Sequence, residues 1–159
     1  MSNSIRVMGL DYGDKTIGVA VSDPFGWTAQ GVCVIRRKNE VDLKESFAQL
    51  ADIIAQYSVT HIVLGYPKNM NNTEGPRCEK TRAFQKKLTK QFPNLPVVLF
   101  DERMSTMAAE RTLLEANLSR KARGQVIDKT AAVFILQGYL DGEATRKRAM
   151  QKEMEKEND

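Results

Sequence analysis

Residues Ile5–Asp23 read IRVMGLDYGDKTIGVAVSD: an apolar run ending on an acid, a short break, then a second apolar run. Ile5–Leu10 and Ile17–Val21 are β-rich, and the Tyr12–Lys15 break has hairpin length. An antiparallel pair at the head of the chain limits what can follow, because every later strand must join it or start a second sheet. Asp11 is the odd member. An ionised carboxylate costs several kcal/mol to bury unless it is paired or binds a cation, and acids are poor strand formers. Gly9 and Gly13 flank it and leave room for a ligand near the backbone. Two readings stand side by side: Asp11 simply ends the strand and opens the turn, or it is a functional acid.

The rest of the chain supplies elements of alternating type. Val32–Ile35 is a third β-like run. From Asp42 to Tyr57, Leu43, Phe47, Leu50, Ala51, Ile54 and Tyr57 recur at helical spacing, with Asp42 as cap. His61–Gly65, HIVLG, is a short apolar strand suited to a sheet covered on both faces. Tyr66–Pro76 is a loop rich in Asn. Pro76 opens a helix to Gln91, where its missing N–H costs nothing. Val97–Phe100 is the next strand, followed directly by Asp101, Glu102 and Arg103. Ser105 or Thr106 caps a helix to about Asn117, Leu118–Val126 is a basic loop, and Asp128–Leu140 is the last helix, ended by Gly142. The expected product is an α/β fold: a mixed five-stranded sheet, antiparallel at its start, with helices on both faces. Residues 1–142 form the domain, and 143–159 a charged C-terminal tail that extends the helix or frays.

At 159 residues the chain can bury a core without disulfides or metals. No apolar run is long enough to span a bilayer, and MSNSIRV lacks a signal-peptide pattern. The expectation is a cytoplasmic protein with no membrane partner. Cys33 and Cys78 have no metal-ligand spacing, and His61 is the only histidine, which argues against zinc. The net charge of +4 favours an anionic partner. Basic residues gather at Arg36–Lys38, along Lys80–Lys90, and at Arg120, Lys121, Arg123 and Lys129.

Three acids mark element boundaries: Asp11 after the first strand, Asp101 or Glu102 after the last, and Asp128 at the final helix. In such a sheet these boundaries can share one edge, where α/β chemistry gathers. Carboxylates so clustered repel unless a cation joins them, and all-oxygen ligands select Mg²⁺ or Mn²⁺. Two such ions stabilise the attacking and leaving oxygens of phosphoryl transfer. The competing reading is that Asp101 caps a turn and Asp128 a helix.

GLDYGDKTIGVAVSD, VLGYPKNMNNTEGP, FDERMSTMAA and VIDKTAAVFILQGYLD together resemble the YqgF/RuvX family, in order, from about Ile5 to Gly142. Members are described as pre-16S ribosomal RNA nucleases and as Holliday junction resolvases. The resemblance implies an RNase H-like fold and metal-dependent phosphodiester hydrolysis, with Asp11, Glu102 and Asp128 as catalytic and metal-binding acids. One departure is Thr16, where many members carry Arg; this removes a phosphate contact or salt bridge, not a metal ligand.

The remaining motif residues then acquire candidate roles. Lys15 contacts a phosphate or is a solvated turn lysine. Asn72, with Asn69, Thr73 and Glu74, lines a substrate groove or serves the turn. Arg103 binds phosphate or forms a structural ion pair. Arg120, Lys121 and Arg123 clamp the nucleic-acid backbone, and Trp27 is read as packing rather than a base-stacking platform. The expected function is a metal-dependent endonuclease acting on structured RNA, maturing the 5′ end of pre-16S rRNA, with a pre-ribosomal particle as the setting. The alternatives are a DNA junction resolvase, an actin-like kinase or ATPase, for which the chain is too short, and a nucleic-acid-binding protein without activity.

Overall fold

The computed structural model describes residues 5–37, 42–105 and 120–158, with the backbone alone for 120–130. Five strands form one sheet, in the order β3-β2-β1-β4-β5. They are β1 (Val7–Tyr12), β2 (Thr16–Ser22), β3 (Ala29–Arg36), β4 (His61–Tyr66) and β5 (Val97–Asp101). β1 pairs antiparallel with β2, and β2 with β3, so the chain opens as the meander its hydrophobic pattern predicts. β4 then lies parallel to β1, and β5 parallel to β4. Each parallel step uses a helix as crossover: α1 (Lys44–Tyr57) and α2 (Pro76–Gln91). The product is the expected α/β fold, a mixed five-stranded sheet with helices on both faces.

The strands sort their side chains by parity. Met8 and Leu10 join Ile62, Leu64, Leu50, Phe84 and Leu88 in a core on one face. Val7, Ala20 and Val63 join Ala131, Ala132, Ile135, Leu136 and Leu140 on the other, under the last helix, α3 (Arg120–Glu157). This double burial explains why β1 and β4 read as near-continuous apolar runs. Asp42 accepts the N–H of Lys44 at 3.0 Å, ahead of α1, and Pro76 holds the first position of α2.

Three expectations need correction. Arg120–Val126 is helical, so it is no basic loop, and position 128 lies inside α3 rather than at its start. Ala, Arg, Lys and Gln around Gly124 are strong helix formers, and one interior glycine costs only about 1 kcal/mol. Gly142 does not end the helix either; α3 runs to Glu157 through a stretch rich in Ala, Glu, Lys, Arg and Met. Trp27 is not packing: it is 74% exposed. The helix expected from Ser105 or Thr106 to Asn117 falls outside the described residues beyond Ser105.

Candidate functional site

Parity and register place the first acid. Asp11 follows Gly9 by two residues, and both leave β1 toward α3, because a Cβ on Gly9 would meet Leu136 Cβ at 2.7 Å. The parallel register pairs Leu10 with Leu64, so its next step sets Asp11 beside Gly65. Gly65 faces the same way: a Cβ there would lie 2.5 Å from Ile135 Cδ1 and 2.7 Å from Glu102 Oε1. The Glu102 carboxylate therefore fills the space that a side chain on β4 would occupy. Asp11 and Glu102 occupy neighbouring tracks, about one strand spacing (~4.8 Å) apart. Asp11 is 8% exposed and Glu102 half-buried.

Glu102 is positioned by a turn of 3₁₀ helix, Glu102–Met104, directly after β5. The preceding Asp101 is otherwise engaged. Its Oδ1 accepts the Arg103 backbone N–H at 3.0 Å, and the Arg103 guanidinium forks onto both oxygens, with Nη2–Oδ2 at 2.6 Å. Of the two consecutive acids, Glu102 is thus the one over the glycine. Arg103 also donates to Asn72 Oδ1 at 2.9 Å, which ties the β4–α2 loop to the end of β5.

Hydrogen bonding from Arg103 holds the Asp101 carboxyl below its ordinary value of 3.8. Because the folded value is depressed, the pair's contribution to stability is present above about pH 4 and is lost as pH falls through the lowered value. Asp101→Asn should therefore melt below the parent at neutral pH, and the gap should narrow as the pH falls below the ordinary carboxyl value of 3.8. Circular dichroism melts across that range check this.

The third acid is reached through α3. Leu140 packs near Val7 and Leu136 near Gly9, so the helix runs antiparallel to β1. Its earlier turns lie toward Asp11, and position 128 precedes Ala131 and Ala132 by one turn. The side chains of Asp128, Arg120, Lys121 and Arg123 lie outside the described residues. Among the described residues no three His, Cys, Asp or Glu side chains are grouped to hold a metal ion. The Asp11–Glu102 pair still suits a divalent cation: hard oxygen donors on adjacent tracks, with Glu102 seated in the space that a Cβ at Gly65 would take.

Lys15 is exposed at the β1–β2 turn. Nearby, Arg37 donates to the Tyr12 hydroxyl at 2.9 Å and to the Gly13 carbonyl, and its guanidinium lies over the Tyr12 ring. The Asn-rich loop is cross-linked within itself. Asn72, at φ 71°, accepts from Lys68 and Arg103. Asn69 donates to Thr73, and the Thr73 hydroxyl donates to Asn71 at 2.6 Å. Glu74 pairs with Arg82 at 2.6 Å, and Arg82 reaches the Tyr66 hydroxyl at 2.8 Å. Burial, followed by the Glu74 hydrogen bond, pushes the Tyr66 hydroxyl up to about 12.

A family model described as "RuvX: Holliday junction resolvase" matches residues 5–142. The chain belongs to the RuvX family. A relative from Desulfitobacterium hafniense is 58% identical over 137 residues, covering 86% of this chain and 92% of its own. One from Agathobacter rectalis is 53% identical over 137 residues, covering 86% and 95%. Both carry the name "Putative pre-16S rRNA nuclease". Among solved structures, Thermus thermophilus RuvC in complex with a Holliday junction substrate aligns with TM-score 0.54 at 15% identity, covering 87% of this chain and 96% of that one. The yeast mitochondrial Holliday junction resolvase aligns with TM-score 0.55 at 10% identity, covering 91% and 81%. At such identities these two establish the fold.

Within this RuvX chain, Gly65 lies between the two acids, although by sequence it is only the last residue of the apolar run His61–Gly65. A glycine near the end of a strand otherwise made of large residues is itself a sign of close approach.

Proposed function

We propose that this chain is a divalent-metal-dependent endonuclease that cuts structured RNA in the cytoplasm and matures the 5′ end of pre-16S rRNA, with a pre-ribosomal particle presenting the substrate. The observation that carries this reading is Asp11 on β1 beside Gly65, with the Glu102 carboxylate over that glycine at the carboxyl ends of the two strands. Asp11, Glu102 and Asp128 would hold Mg²⁺ or Mn²⁺, which would supply Lewis-acid activation of a water and charge stabilisation at the departing 3′-oxygen. The chain's own residues position the strand. Lys15, Arg120, Lys121 and Arg123 meet backbone phosphates, which orient a substrate without reading its sequence. Arg103 and Asn72 act jointly, since their mutual bond brings the β4–α2 loop against the turn that carries Glu102. Asp101 is a positioning residue for Arg103.

The names of the close relatives support the RNA substrate. The family description supports a second reading, cleavage of four-way DNA junctions. The test is to offer the full chain a pre-16S RNA with its 5′ extension and a four-way DNA junction, each with Mg²⁺ or Mn²⁺. Cutting near the mature 5′ end of the RNA is the expected result, with binding that weakens steeply as salt rises. Paired symmetric cuts in the junction, with the RNA left whole, would establish the second reading instead.

A further inference from the structure

The far end of the sheet carries an unassigned feature. The loop Asp23–Thr28, DPFGWT, is fixed from within. The Asp23 carboxylate accepts the backbone N–H groups of Phe25 at 2.9 Å, Trp27 at 3.0 Å and Thr28 at 3.2 Å, and the Thr28 hydroxyl at 2.7 Å. Gly26 takes the left-handed conformation, φ 74°, that closes the turn. Gln137 of α3 pins the loop by donating to the Trp27 carbonyl at 3.0 Å and accepting the Ala29 N–H at 2.9 Å. None of this uses the two aromatic side chains. Phe25 is 76% exposed and Trp27 74% exposed, with ring centroids 5.5 Å apart. A rigid backbone that presents two large rings to water sets up a contact surface at a cost in solvation.

Beside the rings lies a groove of about 520 Å³ between the loop, the start of β1 and α3, lined by Trp27, Tyr139 and Lys147 among others. The adjoining turns of α3 expose Lys147, Arg148 and Lys152. The nearby acids are engaged within the chain: Asp23 by its own loop, Glu143 by Arg146 at 3.3 Å, and Asp141 by Gln137 at 3.0 Å. Flat aromatic faces beside cations on long stems match an unpaired nucleotide run, whose bases stack and whose phosphates are anionic.

We propose that this groove binds a single-stranded segment of the RNA substrate, stacking bases on Phe25 and Trp27 and placing phosphates along Lys147 and the cations that follow it. The proposal rests on the nuclease reading above and extends it. Val7 and His61 open β1 and β4 at the groove, and Asp11 lies four residues along β1, roughly 13 Å away at strand rise. The groove therefore holds RNA flanking the cut rather than the scissile bond.

Trp27 is the only tryptophan, so its emission reports the site directly. The full chain carrying Asp11→Asn is titrated with a single-stranded oligoribonucleotide of about ten nucleotides, and labelled RNA is followed by anisotropy in parallel. Saturable quenching is expected, weakened by salt, with affinity lowered about fivefold or more by Phe25→Ala and lowered by Lys147→Glu. Both side chains are exposed, so these variants should melt with the parent. RNA binding without quenching, and unchanged by Phe25→Ala, would overturn the proposal. So would a Trp27→Ala variant that alters the sedimenting mass but not RNA affinity, which marks a protein interface. Cleavage separates the two readings. A parent that cuts RNA without quenching defeats only the groove; a parent that quenches but never cuts defeats only the nuclease.

Discussion

Asp11→Asn is expected to lower RNA cleavage by at least about a thousandfold: on the proposed reading it removes a metal-holding carboxylate, and with it several kcal/mol of transition-state stabilisation. The substitution is isosteric and leaves the β1 backbone paired, with position 11 opposite Gly18. It removes one of two carboxylates that share a face of the sheet at about one strand spacing. The parent should gain stability as Mg²⁺ or Mn²⁺ is added, since an ion that binds only the folded state shifts the equilibrium by mass action. The variant should lose most of that gain. Cleavage assays and thermal melts with and without metal measure the two effects independently. A variant that cuts like the parent, in a preparation free of contaminating nuclease, removes Asp11 from the chemistry.

What the sequence conveys well is what depends on long-range pattern. The opening hairpin, the two crossovers and the apolar centre of the sheet follow from periodicity, because burial on both faces leaves little choice of residue at Met8, Leu10, Ile62 or Leu64. Local breaks are harder to judge. Gly124 and Gly142 look like stops, but α3 continues through both because its neighbours are strong helix formers. Trp27 looks like core because large aromatics usually are; its exposure depends on Asp23 having satisfied the loop without it. Residue type alone does not separate Asp101 from Glu102; in the sequence only the family resemblance singles out Glu102. In space the two differ: Arg103 occupies the Asp101 carboxylate, and Glu102 rests above Gly65.

Two glycines that look equivalent in sequence should respond in opposite ways to alanine. At Gly9 the new Cβ meets Leu136 Cβ at 2.7 Å and the Ala132 carbonyl at 3.3 Å, atoms fixed to the α3 backbone. The helix must lift from the sheet, and overpacking of this kind costs about 1–3 kcal/mol. At Gly65 the new Cβ meets Glu102 Oε1 at 2.7 Å, the far end of a half-buried flexible side chain, and Ile135 Cδ1 at 2.5 Å and Cγ1 at 3.2 Å, in a fully buried side chain. Glu102 can swing aside while Ile135 shifts within the core, and the lost chain freedom of glycine in the unfolded state offsets part of the strain by roughly 0.4–1 kcal/mol. Yet the group that swings aside is the Glu102 carboxylate. A displacement of about 1 Å at a reacting centre can cost about a hundredfold in rate. Gly65→Ala should therefore melt closer to the parent than Gly9→Ala does, while turnover on RNA falls about a hundredfold. Gly9→Ala should melt well below the parent, with activity following the folded fraction. Melts and single-turnover cleavage of the two variants, compared side by side, separate packing from chemistry. A Gly65→Ala protein that is folded and fully active would mean that the Glu102 carboxylate plays no part in catalysis from the position it holds above β4.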